Sequence, residues 1–273
     1  MGERWTLELL HPREQAIDAG AGAIVHVVEG FVRVDYRDYR LRIPAGTTIV
    51  CPSEGAPRLA CIAGWNPRLL RITRWKRARA AAAALMPSRA SDAPPGVVGQ
   101  DARIDDAMRA LSRMLADANT AEHALVAAAR RAMAATLAAL HRSRGLARSC
   151  SGRTRRRRLE QYSRLARARA VLAWGDDPSL DIAGVAAIAH MSTSHFIALF
   201  HRIFGRPPHQ YRIECRMSQA RRLLLDTTLS TIQIVHCLGI ESTAAFARTF
   251  LRQFGLPASS LRRSHVDDGQ RLE

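Results

Sequence analysis

Residues 182–208 read IAGVAAIAHMSTSHFIALFHRIFGRPP, and fifty residues further on, residues 232–258 read IQIVHCLGIESTAAFARTFLRQFGLPA. Ile182 pairs with Ile232, Val185 with Val235, Ser192 with Ser242, Thr193 with Thr243, Phe196 with Phe246 and Phe200 with Phe250. Arg202, Phe204, Gly205, Pro207 and Arg212 recur at the same offset as Arg252, Phe254, Gly255, Pro257 and Arg262. One offset that catches apolar, polar and glycine positions alike marks two copies of a single supersecondary unit.

Each copy has its own physical logic. Ile182, Val185, Ala186 and Ala189 share one face of a short helix, and Ser192 offers an N-cap hydroxyl to the next. That next helix carries Phe196, Leu199, Phe200 and Ile203 at i, i+3, i+4, i+7 and is stopped by Gly205 and the prolines behind it. In the second copy Ile232, Val235 and Leu238 form the first helix, Gly239 the turn and Ser242 the cap. Phe246, Phe250 and Phe254 fill the inner face there, and Gly255 ends the helix. Helix, short turn, helix is the plan in which the second helix lies in the DNA major groove. A generic helical hairpin would explain one such pattern; caps, turns and stops matched twice favour DNA recognition.

The outward residues of the first recognition helix are Ser192, Thr193, Ser194, His195, Ile197, Ala198, His201 and Arg202. Those of the second are Ser242, Thr243, Ala244, Ala245, Arg248, Thr249 and Arg252. Between the copies, Ile213, Met217, Ala220 and Leu224 keep helical spacing and leave Arg216, Arg221 and Arg222 on other faces as candidate phosphate contacts.

Residues from about Tyr162 to Arg263 resemble the DNA-binding domain of the AraC/XylS family of bacterial transcription regulators. The resemblance is carried by Val185-Ala186-Ala187-Ile188-Ala189-His190-Met191-Ser192, then Phe196, Leu199-Phe200, Gly205, Pro208 and Tyr211. It continues through Arg216, Ala220, Leu223-Leu224, Gly239-Ile240, Ser242, Phe246, Arg248, Phe250 and Phe254-Gly255. It implies a seven-helix, two-lobed domain with helices near Ser192–Ile203 and Ser242–Phe254 in successive major grooves. The departures are His190 where the family carries a turn glycine, Ile240 in place of its phenylalanine, and Ala258 and Leu261 for its late Pro and Tyr. Ala198 stands where the first recognition helix often carries an arginine, while the second has Arg248.

Upstream, the text changes character. Ile24–Val28 is a β-branched run ended by Glu29-Gly30; Phe31, Val32 and Val34 follow, and Tyr39, Leu41 and Ile43 alternate with Arg40 and Arg42. Pro44-Ala45-Gly46 turns the chain and Thr47–Val50 resumes it, so 1–75 reads as a small antiparallel β-domain. Glu29-Gly30 and Pro44-Ala45-Gly46 resemble the cupin-like sensor domain of many such regulators. His26 alone near that sheet is read as a core or surface residue, which points to an organic effector and not to a metal site. From 76 to 143 alanine dominates, with one helix carrying Ile104, Met108, Leu111 and Leu115, and another spanning Thr120 to His141. This pair is a dimer interface, a spacer or simple packing. Residues 144–158, with Ser149, Ser151, Gly152 and Arg155–Arg158, read as a solvated basic linker, and 159–266 as the DNA-binding domain. The expected class is α+β: a small cupin-like β-domain, a central helical pair and an all-α double helix-turn-helix domain.

Composition narrows the function. The 273 residues carry 41 Lys+Arg against 24 Asp+Glu, a net charge of +17, and Lys76 is the single lysine. Guanidinium forks suit phosphate and guanine edges. The excess is shared almost equally between the two sides of residue 150, so charge alone does not locate a nucleic-acid site. No apolar run is long enough for a membrane-spanning helix, and Met1–Trp5 does not resemble a secretory signal. Cys51, Cys61, Cys150, Cys215 and Cys237 show no ligand spacing and read as reduced cytosolic thiols. No catalytic grouping, metal set or cofactor loop appears, against a cupin-type enzyme; two capped recognition helices argue against an architectural protein without sequence preference. The expectation is a cytoplasmic bacterial transcription regulator, an activator, acting on double-stranded DNA. Its candidate partners are a small organic effector, RNA polymerase if it activates, and a second copy of the chain.

Overall fold

The computed structural model describes residues 6–12, 16–20, 22–36, 39–51, 56–62, 65–73, 96–98, 101–177 and 179–261. The alanine-rich stretch after Trp75, Lys76, and Arg262 of the repeat lie outside the described residues. Among the described residues nine strands come first: β1 Thr6–Leu10, β2 Ile17–Asp18, β3 Ile24–Glu29, β4 Phe31–Asp35, β5 Arg40–Pro44, β6 Thr48–Val50, β7 Arg58–Cys61, β8 Arg68–Thr73 and β9 Gly96–Val98. Eight helices follow among these residues: α1 Ala102–Ala116, α2 Glu122–Ala147, α3 Arg155–Trp174, α4 Ile182–Ile188, α5 Thr193–Phe204, α6 Pro208–Asp226, α7 Thr231–Cys237 and α8 Thr243–Phe254.

The strands make two antiparallel sheets, one ordered β1-β8-β3-β6-β9 and the other β2-β7-β4-β5. Gly30 at φ 72 lets the chain leave β3 and enter β4 of the other sheet, and a Cβ there would stand 3.2 Å from Pro67 Cα. Val25 and Val27 of β3 join Val32, Val34, Leu41, Ile43 and Leu59 between the sheets. Ile24 and Val28, on the other face of β3, pack with Ile104, Met108 and Leu111 of α1 and with α2. β3 is therefore covered on both sides, which is why its sequence is a continuous β-branched run with no alternation. β9 pairs with β6, so the five-stranded sheet extends past residue 75, the expected end of the β-domain. Three residues behind Pro94-Pro95 are too few to show a strand period.

His26 sits on the α1-facing side of β3 and is fully buried. Its Nδ1 is 2.9 Å from Thr48 Oγ1 and its Nε2 3.1 Å from Asp105 Oδ1, while Arg109 Nε donates to the same carboxylate at 2.9 Å. Burial alone would raise the Asp105 carboxyl, but the hydrogen bonds from His26 and Arg109 outweigh it and hold it below the usual carboxylate value. The stabilisation from Asp105 is then complete above the unfolded value of about 3.9 and is lost as pH falls through the lower folded one. Asp105→Asn should cost about 1–3 kcal/mol at neutral pH and lose less stability than the wild type between pH 7 and pH 3 in urea titrations. Equal acid losses in the two proteins would refute this role.

α2 runs on to Ala147 and α3 starts at Arg155, capped by Thr154 Oγ1 accepting from Arg157 N at 3.2 Å. The non-helical connection is thus residues 148–154, shorter than the expected 144–158 linker. Arg155–Arg158 form a helical first turn because the Thr154 cap fixes it and Arg156 pairs with Glu160 one turn on. α4 and α5 cross at 83°. No single helix among the described residues is long and apolar enough to cross a membrane.

The sheet domain packs directly on the C-terminal helices. The free edge of β5 is covered where Leu41 bridges Gly175 and Asp176 N donates to Arg40 O at 3.2 Å. Arg42 pairs with Asp176 and donates to Cys237 O at 3.0 Å, and Arg222 donates to Ala45 O. Phe31, its ring edge-on to Trp65 at 4.7 Å, joins the core formed by Met217, Leu224, Ile234, Phe246 and Phe250.

Candidate nucleic-acid interface

α5 begins at Ser192, whose Oγ accepts from His195 N at 3.4 Å, and α8 at Ser242, whose Oγ accepts from Ala245 N at 3.3 Å. Both end on a left-handed glycine, Gly205 and Gly255, each at φ 75. Phe196, Leu199, Phe200 and Ile203 are buried on α5, as are Phe246 and Phe250 on α8. The caps, stripes and stops expected from the repeat therefore stand at the same positions in both units.

The first helices of the two units depart from that offset. α4 is capped by Asp181 and α7 by Ser230, forty-nine residues apart. His190 N donates to Ala187 O and Met191 N to Ala186 O; in the second unit Gly239 N donates to His236 O and Ile240 N to Val235 O. Val185 and Ala186 thus correspond to Ile234 and Val235, and the second turn is one residue longer. Ile232, expected on the inner face, is 71% exposed in consequence. A register read from matching letters across a turn does not register a one-residue insertion within it.

His190 takes φ 52, the left-handed region that Gly239 occupies at φ 60. A side chain there costs about 1–2 kcal/mol, partly offset by the larger entropy a glycine loses on folding. His190→Gly should raise stability by about 0.5–1 kcal/mol, seen as a higher melting temperature. A lower one would show that the imidazole makes a compensating contact.

Ser192, Thr193, Ser194, His195, Ile197, Ala198, His201 and Arg202 are all exposed on the outer side of α5. Of these, His195 Nε2 lies 3.4 Å from Gln161 Nε2, and Arg202 donates to Ser151 Oγ at 3.1 Å. On α8, Ser242, Thr243, Ala244, Arg248 and Arg252 are exposed, and Ala245 and Thr249 are half-buried. The three arginines of α6 expected at phosphate separate. Arg221 is exposed with its guanidinium 5.9 Å from the Phe254 ring, Arg222 is turned to Ala45 O, and Arg216 lines a cleft on the side facing the sheets.

Two groups near the recognition helices escaped the sequence reading. Arg157, Gln161 and Arg164 of α3 line an exposed groove with His190, Ser192 and His195. Their spacing of four and three is a helical face, hidden because the expected linker, 144–158, takes in Arg157 and cuts it from Gln161 and Arg164. His209, Gln210, Ile213 and Ser218 of α6 line a second groove beside Thr249, Arg252 and Gln253 of α8.

The geometry is that of a double helix-turn-helix, and the comparisons with known proteins agree. Residues 185–264 match the family described as "Helix-turn-helix domain". The RCS-specific HTH-type transcriptional activator RclR of Escherichia coli (strain K12) is 30% identical over 81 residues, 30% of this chain and 28% of that protein. The probable transcriptional regulator LumQ of Photobacterium leiognathi is 29% identical over 77 residues, 28% of this chain and 31% of that protein. The solved DNA-binding domain of the global transcriptional factor AdpA, in complex with a target DNA, is 28% identical at a TM-score of 0.34, covering 39% of this chain and 92% of that one. The matches span about a third of the length of these curated relatives. The C-terminal part of this chain is a helix-turn-helix domain, similar to those of AraC-type regulators.

Proposed function

We propose that the chain is a sequence-specific transcription regulator of the AraC/XylS type, with α5 and α8 entering adjacent major grooves of double-stranded DNA. The observation that carries this is the pair of capped helices whose aromatic stripes are buried and whose polar faces are open. α6, at 1.5 Å per residue, is roughly 28 Å long, close to the 34 Å or so between major grooves on one face of the duplex. Its exposed side, continuing the face of α8, carries Arg221, which is the candidate phosphate contact. Arg222 serves the sheet domain instead.

The two-sheet domain acts as a cupin-like sensor of a small organic effector, linked to the DNA-binding domain through Arg42, Arg222 and Phe31. The α1–α2 hairpin, with Val126 and Leu146 exposed on α2, offers a surface to a second copy. The protein works in the bacterial cytoplasm, contacts RNA polymerase if it activates, and has no catalytic role.

Selection of binding sites from random DNA by the full chain, followed by competition against random DNA at physiological salt, tests the central reading. Retention of a defined motif is the expected result; equal competition by random DNA would make the protein a non-specific binder. In the same assay Arg221→Gln should lower the slope of log K against log salt by about one, with Arg222→Gln leaving it unchanged.

A further inference from the structure

The side of α6 that faces the sheets, roughly opposite to the side beside α8, carries Arg212, Arg216 and Gln219. They form the floor of a cleft of about 280 Å³, walled by the end of α3 and by the α7 turn at His236–Gly239, with Arg42 of β5 at its rim. Five charged side chains meet there, three arginines and two aspartates.

The aspartates are already engaged. Asp176 pairs with Arg42, and Asp177 Oδ1 accepts from Ser179 N at 2.9 Å and Ser179 Oγ at 2.6 Å. Arg212 donates to Leu180 O, and Arg42 Nε is buried without a hydrogen-bond partner among the described residues. Arg216 makes no hydrogen bond to any described residue. The acid whose charge it feels is Glu241, an exposed residue of the turn. Burial and the Arg212 guanidinium push Arg216 down to about 10, so it stays charged at neutral pH. A half-buried, unpartnered cation beside another cation is a cost that an incoming anion relieves.

We propose that this cleft is a binding site for a small organic acid, whose oxyanion is held by the guanidinium forks of Arg216 and Arg212. Its volume equals roughly nine water molecules at about 30 Å³ each, the size of a short mono- or dicarboxylate or of a small phosphate ester. The apolar surfaces of Val171, Trp174 and Leu238 line the cleft and suit a short carbon skeleton. Because its walls come from α3 and the second unit and its rim from β5, occupancy bears on the Arg42 tether between the sheet domain and α7. The site itself stands on the cleft alone; only its effect on DNA binding rests on the regulator reading.

The test uses the full chain without DNA, with succinate and inorganic phosphate as probes and sodium chloride balancing ionic strength. A saturable rise in melting temperature with at least one probe is expected. It should need at least tenfold more ligand in Arg216→Gln, an intermediate amount in Arg216→Lys, which keeps the charge without the fork, and no more in Arg221→Gln. Circular dichroism checks that each variant is folded. The proposal fails if neither probe gives a saturable shift, or if Arg216→Gln responds as the wild type does. It fails too if Arg216→Gln lowers the salt slope of DNA binding with acid binding unaltered, since the arginine would then serve a DNA phosphate. Acid binding by a chain that does not bind DNA would leave the site standing and overturn the regulator reading instead.

Discussion

Phe250→Ala is expected to destabilise the second helix-turn-helix unit by about 3–5 kcal/mol, the range for removing a buried aromatic ring from a core. Phe250 is fully buried, with the rings of Phe246 and Phe254 at 5.3 and 4.7 Å. A loss of that size is a large part of the 5–15 kcal/mol typical of a whole domain. Its consequences should differ from those of the matching change in the first unit. Phe200 belongs to a core running without a break from α5 through α3 to the sheets, whereas Phe250 belongs to a separate cluster reaching the sheet domain through Phe31. Phe200→Ala should therefore lower one cooperative transition of the whole chain. Phe250→Ala should loosen α7 and α8 first, with amide exchange rising there before it rises in α3 to α5. A cost below about 1 kcal/mol, far under the range for a core aromatic, would show that α8 does not rest on this stripe.

How much of this was legible beforehand depends on which interactions were local. The helix caps at Ser192 and Ser242, the stops at Gly205 and Gly255 and the aromatic stripes all lie within one helix each, so spacing alone reveals them. β3 to β6 were legible for a like reason: burial of one face imposes a period of two on β4 and β5, and burial of both faces makes β3 and β6 continuous runs. What was not legible involves partners far apart in the chain. Nothing around Arg222 or Arg42 announces that their guanidinium groups meet Ala45 O and Cys237 O, 177 and 195 residues away. The Asp105 partner of His26 is likewise 79 residues distant. The extra residue in the second turn was hidden by a different cause: Ile182 and Ile232 match as letters, although the chain places the second in solvent.

Arg248→Ala should weaken binding to the selected DNA site by about 1–3 kcal/mol and relax the preference at one base position. At 100° per residue Arg248 stands about 160° from both Phe246 and Phe250, so it points away from the core, and it is exposed. A guanidinium there can reach guanine O6 and N7 together. Its counterpart on α5 is Ala198, which can offer only an apolar contact to a thymine methyl. Of the other long polar side chains of α5, His201 stands exposed in the last turn, whereas two are engaged: Arg202 donates to Ser151 Oγ, and His195 lies beside Gln161. Arg202 or His195 would have to leave its partner to read a base. The half-site under α8 should therefore be specified more strictly than the one under α5, where contacts mainly set position and read DNA shape. Site selection with the wild-type chain should return one information-rich block, and Arg248→Ala should flatten a single column of it. Uniform weakening on every sequence would instead make Arg248 a phosphate contact. Two equally informative blocks about one helical turn apart would sink the asymmetry and show that Arg202 or His195 gives up its present partner on DNA.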